Sequence, residues 1–104
     1  MSGIKVLNLS GQKIEVAINQ WGDDGGTGNF TIDDKDSEHW SRSNRQGFVM
    51  VITPYKISRE KGSYWFIKPG TDITVYSLDN VEGALAALPN PYIESPSAFK
   101  KRSA

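Results

Sequence analysis

Cysteine is absent from the 104 residues of this chain. That gap removes a disulfide scaffold, a thiolate metal site and a thiol nucleophile together, and it fits a reducing compartment. The fold must then rest on an apolar core, and the length suffices for one domain to build one. An excess of charge is lacking too: 12 Lys and Arg offset 12 Asp and Glu. A protein that grips nucleic acid by its phosphates carries a basic excess or stripe, so nucleic acid is not an expected partner. Neutrality also gives little long-range pull toward an anionic membrane. Uncharged sugars and zwitterionic headgroups stay open as partners. Long apolar runs are missing as well. The opening MSGIKVLNLS shows no leader pattern, and no stretch is long enough to span a bilayer, so the expected location is cytoplasmic. Asn8 and Asn29 head glycosylation-type triplets that such a location leaves idle.

Signatures of catalysis are equally scarce. The chain contains no nucleophile elbow, Walker loop, HExxH or dinucleotide fingerprint, so neither a cofactor nor an enzymatic activity is expected. The single histidine, His39, has Asp36 and Ser41 close in sequence. A triad, however, is a matter of spatial geometry and an oxyanion hole. Asp34, Asp36 and Glu38 alternate like the start of a calcium loop. Counting from Asp34, the glycine and glutamate that such a loop needs at its sixth and twelfth positions are His39 and Arg45. A solvated acidic turn is the simpler account, and no metal is expected.

What the chain has in quantity is extended, alternating sequence. Gly62–Leu78 reads as strand, turn, strand: Ser63–Lys68 and Asp72–Leu78 are rich in aromatic and β-branched residues and flank Pro69-Gly70-Thr71. Proline presets φ for the second position of a type II turn, and glycine supplies the positive φ that follows. An antiparallel pair is the expectation. Upstream, Ile4–Leu9 and Lys13–Trp21 are strands joined by Ser10-Gly11-Gln12, again a hairpin pattern, with Ile14, Val16 and Ile18 on one face. Gly22–Gly28 is a glycine-rich loop. Phe30–Ile32 and a stretch around Trp40 and Arg42 are short strands separated by the acidic turn. Gly47–Thr53 is apolar on both faces and reads as a central, doubly covered strand that Pro54 ends.

After Leu78 the period changes. Val81–Leu88 carries apolar residues at helical spacing behind Asp79 and Asn80 as caps, so a short helical turn is expected before Pro89. Residues 95–104, with Lys100-Lys101-Arg102, read as a disordered basic tail behind a domain of residues 1–94. One regularity runs through the middle of the chain. Phe30-x-Ile32, a turn and Trp40 match Trp65-x-Ile67, a turn and Val75 at an offset of 35 residues. Two copies of one unit would supply two facing sheets. The expected fold class is therefore all-β: an antiparallel β-sandwich of about 7–8 short strands.

For so small a domain the rings are many, and they are the best lead to function. Trp21 and Tyr55 lie beside loops, with Asp23, Asp24 and Asn29 as neighbouring polar groups. A flat ring beside such groups suits stacking on a sugar, and the same ring at a loop tip suits a membrane interface. A second copy of the chain is the third candidate partner, the rings then forming a homo-oligomer interface.

The order I-x-V-x-N-x-S-G-Q-x-I-x-V-A-I, then F-T-I before an acidic turn, W-S-R, and Y-W-F-I-x-P-G-T resembles small proteins of mushroom-forming fungi. These in turn are similar to the β-sandwich family of actinoporin-like cytolysins and fungal fruit-body lectins. The resemblance covers most of residues 4–78. Such cytolysins pierce membranes with an amphipathic N-terminal helix, whereas this chain begins on a strand pattern. The resemblance thus implies a lectin-like, glycan-binding protein before a membrane-active one. It assigns no individual binding residue.

Overall fold

The computed structural model describes residues 3–19, 28–42 and 46–90. Among them nine strands occur: β1 (Ile4–Asn8), β2 (Ile14–Ile18), β3 (Phe30–Ile32), β4 (Ser37–Trp40), β5 (Phe48–Pro54), β6 (Ser63–Ile67), β7 (Asp72–Ser77), β8 (Asn80–Glu82) and β9 (Ala86–Leu88). A single 3-10 turn, Arg59–Lys61, precedes β6. The larger sheet has the order β3-β2-β5-β6-β9 and the smaller one β4-β1-β7-β8. Their inner faces meet in one core. Ile4, Val6, Trp40, Ile73 and Val75 come from the smaller sheet, facing Ile14, Val16, Ile18, Ile32, Phe48, Met50, Ile52 and Ile67 from the larger. The chain is an all-β protein of two packed sheets.

Strand positions follow the period-2 pattern, but several pairings do not follow sequence proximity. β1 and β2 form no hairpin, and neither do β6 and β7: in each case the connection leaves one sheet and enters the other. The Pro69-Gly70 turn is present, with Gly70 at φ +85°, yet it joins layers rather than neighbours. Nor is the fold antiparallel throughout, since β1 runs parallel to β7. The expected helical turn at 81–88 is replaced by β8, paired with β7, and β9, paired with β6. Gly83 breaks that segment at φ +93°, and a Cβ there would sit 2.3 Å from the Asp72 carbonyl oxygen. Gly83→Ala therefore forces both a left-handed backbone and a backbone collision, an expected loss of about 2 kcal/mol or more. Gly70→Ala, at φ +85° with nothing within 4 Å, should cost only about 1 kcal/mol. Urea titrations of the two variants compare the terms directly.

The repeat seen in the sequence reappears as a pseudo-two-fold relation in the strand register, but each copy gives two strands to the larger sheet and one to the smaller rather than forming a sheet of its own. Ile14 pairs with Ile32 and Val16 with Phe30; in the second unit Phe48 pairs with Ile67 and Met50 with Trp65. In the smaller sheet Ile4 lies opposite Trp40, and Asn8 lies opposite Val75. Rotation about an axis through Val6 and through the Ala17–Val51 pair exchanges these sets. β1 lies on the axis between β4 and β7, which the rotation makes antiparallel to each other. It must therefore run parallel to one of them, and this accounts for the parallel pair.

Two buried polar side chains seal the seams. Asn8 donates to the carbonyl oxygens of Gln12 (2.7 Å) and Ile32 (2.9 Å), and its Oδ1 accepts from the backbone N–H (3.0 Å) and hydroxyl (2.6 Å) of Ser10. Arg42 donates to the carbonyls of Asn19 (3.0 Å), Ser41 (2.6 Å) and Ile18 (2.8 Å) and stands 5.7 Å from the Phe48 ring centre. Both tie the larger sheet to the loops that cross between layers.

Candidate functional site

The outward residues of β2, β5 and β6 alternate with the core set, so they share one face of the larger sheet. Cross-strand register puts Ala17 beside Val51, and Val51 beside Tyr64. Ala17, Val49 and Val51 thus make an apolar floor, and Asn19, Arg59 and Tyr64 rise around it to enclose an open groove of about 420 Å³. Val49, on the floor, is 38% exposed. The strand expected to be covered on both faces is therefore open over part of its outer face.

Each wall is held in place. Asn19 continues the sheet where β2 ends: its side-chain Oδ1 accepts the Val49 N–H at 2.7 Å, while its backbone N–H donates to the Val49 carbonyl at 3.3 Å. Tyr64 donates its hydroxyl to the Arg59 carbonyl (3.3 Å), which ties the ring to the 3-10 turn. The Arg59 guanidinium donates to Asn29 Oδ1 at 2.9 Å, linking the turn before β6 to the residue before β3. Since β2 and β5 lie between those strands, this contact spans the width of the groove. An amide, a phenol and a guanidinium above an aliphatic floor can hydrogen-bond hydroxyls while packing against C–H surface.

The residues singled out from sequence fare unevenly. Trp21, Asp23 and Asp24 lie outside the described residues. Asn29 belongs to the groove through Arg59. Tyr55 does not: its N–H donates to the Lys13 carbonyl, at the other end of β2. There its ring is flanked by the Lys13 ammonium, 4.7 Å from the centroid, and by Lys56, 5.4 Å away. It is 40% exposed, and Ile57 beside it 43%.

The acidic turn is engaged locally. Asp33 pairs with Lys13 at 3.5 Å, Asp34 Oδ1 accepts the Gly11 N–H, and Asp36 Oδ1 accepts the Ser37 N–H. Among the described residues no group of three His, Asp or Glu side chains converges on a metal position. His39 is exposed on β4, in register with Lys5. No described helix is long and apolar enough to cross a membrane. Asn19, Val49, Arg59 and Tyr64 carried no sequence motif. The available signal was the apolar outward positions of β5.

No family model, curated protein or solved structure matches the chain.

Proposed function

We propose that the protein is a non-enzymatic, lectin-like binding module that takes an uncharged glycan into the groove on the outer face of the larger sheet. The observation that carries this reading is the pairing of an aliphatic floor, open at Val49, with three anchored hydrogen-bonding walls. A sugar ring presents C–H groups on its faces and hydroxyls around its rim, and such a groove complements both. The walls are fixed by contacts within the protein, so little ordering entropy is spent on binding.

The test is a glycan array followed by calorimetry on the best ligand, with Val49→Asp and Tyr64→Ala beside the parent chain. Val49 is exposed enough for the acid to be accommodated without unfolding, which circular dichroism checks. The expected result is a saturable neutral glycan whose affinity falls at least about tenfold in both variants, the loss of roughly 1.4 kcal/mol of contact. Absence of any glycan signal, or full binding by Val49→Asp, overturns the reading.

A second reading, a lipid-headgroup binder, is favoured by the turn after β5. Tyr55 and Ile57 are exposed there beside Lys13 and Lys56, and an amphipathic ring at a tip of this kind suits a bilayer interface. Sedimentation with phosphatidylcholine vesicles, lost in Ile57→Asp and kept in Val49→Asp, would select it over the glycan reading.

A further inference from the structure

The pseudo-two-fold relation fails beside Trp65, where Val75 stands in the place of Trp40, and an open cleft lies next to the Trp65 ring. In the first unit Phe30 and Trp40 meet edge to face, ring centres 5.1 Å apart, where the sheets come together beside β3 and β4. The rotation carries Phe30 onto Trp65 and Trp40 onto Val75. A valine cannot fill the volume of an indole, so the second side needs other groups to close it. Leu78, Val81 and Ala84, from the segment that has no counterpart in the first unit, pack there against the core. They close that place, since Val75 is fully buried. An open cleft of about 320 Å³ lies beside Trp65, lined by the apolar Leu78, Ala87 and Leu88 and by the polar side chains of Ser63, Tyr64, Asp79 and Asn90.

The chemistry of the cleft is that of a cation-and-ring site. Trp65 is half-buried, and its indole N–H donates to Ser63 Oγ at 2.9 Å, which fixes the plane of the ring. Ala87 lies directly opposite Trp65 across the strands, so only a methyl group stands beside the indole on that side. Asp79 is the charged side chain among the described residues of the lining. An aromatic body would pack against the Trp65 ring and the apolar walls. A positive group would be drawn to Asp79 and to the indole face, whereas a carboxylate would be repelled.

We propose that this cleft binds an aromatic monoamine, its ring against Trp65 and its ammonium toward Asp79. The site shares Tyr64 with the outer-face groove but not the floor of that groove, and it does not depend on the glycan reading.

The test is a two-dimensional nitrogen–proton correlation titration of the full chain with tryptamine, run in parallel with indole-3-acetate, which keeps the ring and reverses the charge. The expected result with tryptamine is saturable shifts at the Trp65 indole N–H and the Ala87 and Leu88 amides, with the Phe30 and Trp40 signals unmoved. Indole-3-acetate at the same concentrations leaves them in place. Asp79→Asn should weaken tryptamine about fivefold, as expected for a partly exposed ion pair, and should narrow the difference between the two probes. Ala87→Leu, on an exposed strand position, should fill the cleft and abolish the shifts while the remaining spectrum stays dispersed. No saturation with tryptamine, equal shifts from both probes, or undiminished shifts in Ala87→Leu overturns the proposal.

Discussion

Asn8→Asp is expected to destabilise the fold by about 3 kcal/mol or more at pH 7, although it exchanges one NH₂ group for one oxygen. The amide nitrogen of Asn8 faces two carbonyl oxygens, those of Gln12 at 2.7 Å and Ile32 at 2.9 Å, at a position with no solvent exposure. Replacing that nitrogen removes both donors and sets a carboxylate oxygen against two acceptors. The other oxygen keeps the two Ser10 donors, so the charge is partly compensated but far from paid for.

The loss should depend on pH with a definite sign. Burial and the facing carbonyls raise the folded-state pKa of the introduced carboxyl above its unfolded value of about 3.9. Between those two values the folded state binds more protons than the unfolded state, so stability falls as pH rises through the interval. Urea midpoints of the variant, referred to the parent chain at each pH, should therefore recover on acidification toward pH 4. Asn8→Ala, which carries no charge, should lose about 2 kcal/mol or more at all pH values. A variant indistinguishable from the parent at pH 7 would show that the Asn8 contacts do not hold the layer crossing together.

Asn8 also marks the boundary of what could be read from the chain alone. It sits at the end of an alternating run, Ile4, Val6, Asn8, whose side chains all turn inward. Alternation specifies which residues face the core, and Ile14, Val16, Ile18, Ile73 and Val75 are buried as the period demands. It does not specify the partner strand. A turn such as Ser10-Gly11-Gln12 can close a hairpin or carry the chain from one layer to the other, and the deciding contacts are Asn8 to Ile32 and Gly11 to Asp34. Both span more than twenty residues. The connection through Pro69-Gly70 is ambiguous for the same reason. Between Val81 and Leu88 the apolar spacing fits a helix as well as two short strands. The discriminating fact is the approach of Gly83 to the Asp72 carbonyl, a tertiary contact no local pattern contains.

The candidate site was legible in a different sense. Tyr55 stands out in sequence as a ring beside loops, and it is exposed, but two lysines occupy its surroundings. Asn29 reaches the groove only because Arg59 crosses to it. The groove itself is assembled from single outward residues on three strands and a 3-10 turn, none remarkable in its own segment. Its trace in the sequence was that Gly47–Thr53 is apolar on both faces. That pattern admits a covering layer or an uncovered apolar floor: Val49 is uncovered, while Val51 is buried. The offset of 35 residues was the more informative signal. It anticipated which side chains are equivalent, and so where the equivalence fails.

That failure gives the second large expected effect, on the side that is closed. Trp40→Val converts the first unit to the composition of the second, where Val75 holds the equivalent place. The segment that packs beside Val75 has no counterpart at β3 and β4, so the vacated volume can be recovered only by collapse of the edges. The expected loss is about 3–4 kcal/mol, the range for deleting most of a buried indole. Trp40→Phe should behave quite differently. The indole N–H of Trp40 is buried without a hydrogen-bond partner, so the parent chain already bears the cost of an unsatisfied donor, about 1–3 kcal/mol. Phenylalanine removes that donor, keeps an aromatic edge for Phe30, and gives up only part of the ring volume. These terms oppose one another, and the net change should stay within about 1 kcal/mol of the parent. Thermal and urea unfolding of the two variants separate volume from polarity at one site. Equal losses in both would mean that the indole nitrogen is satisfied in solution and that the ring contributes through that bond as well as through its bulk.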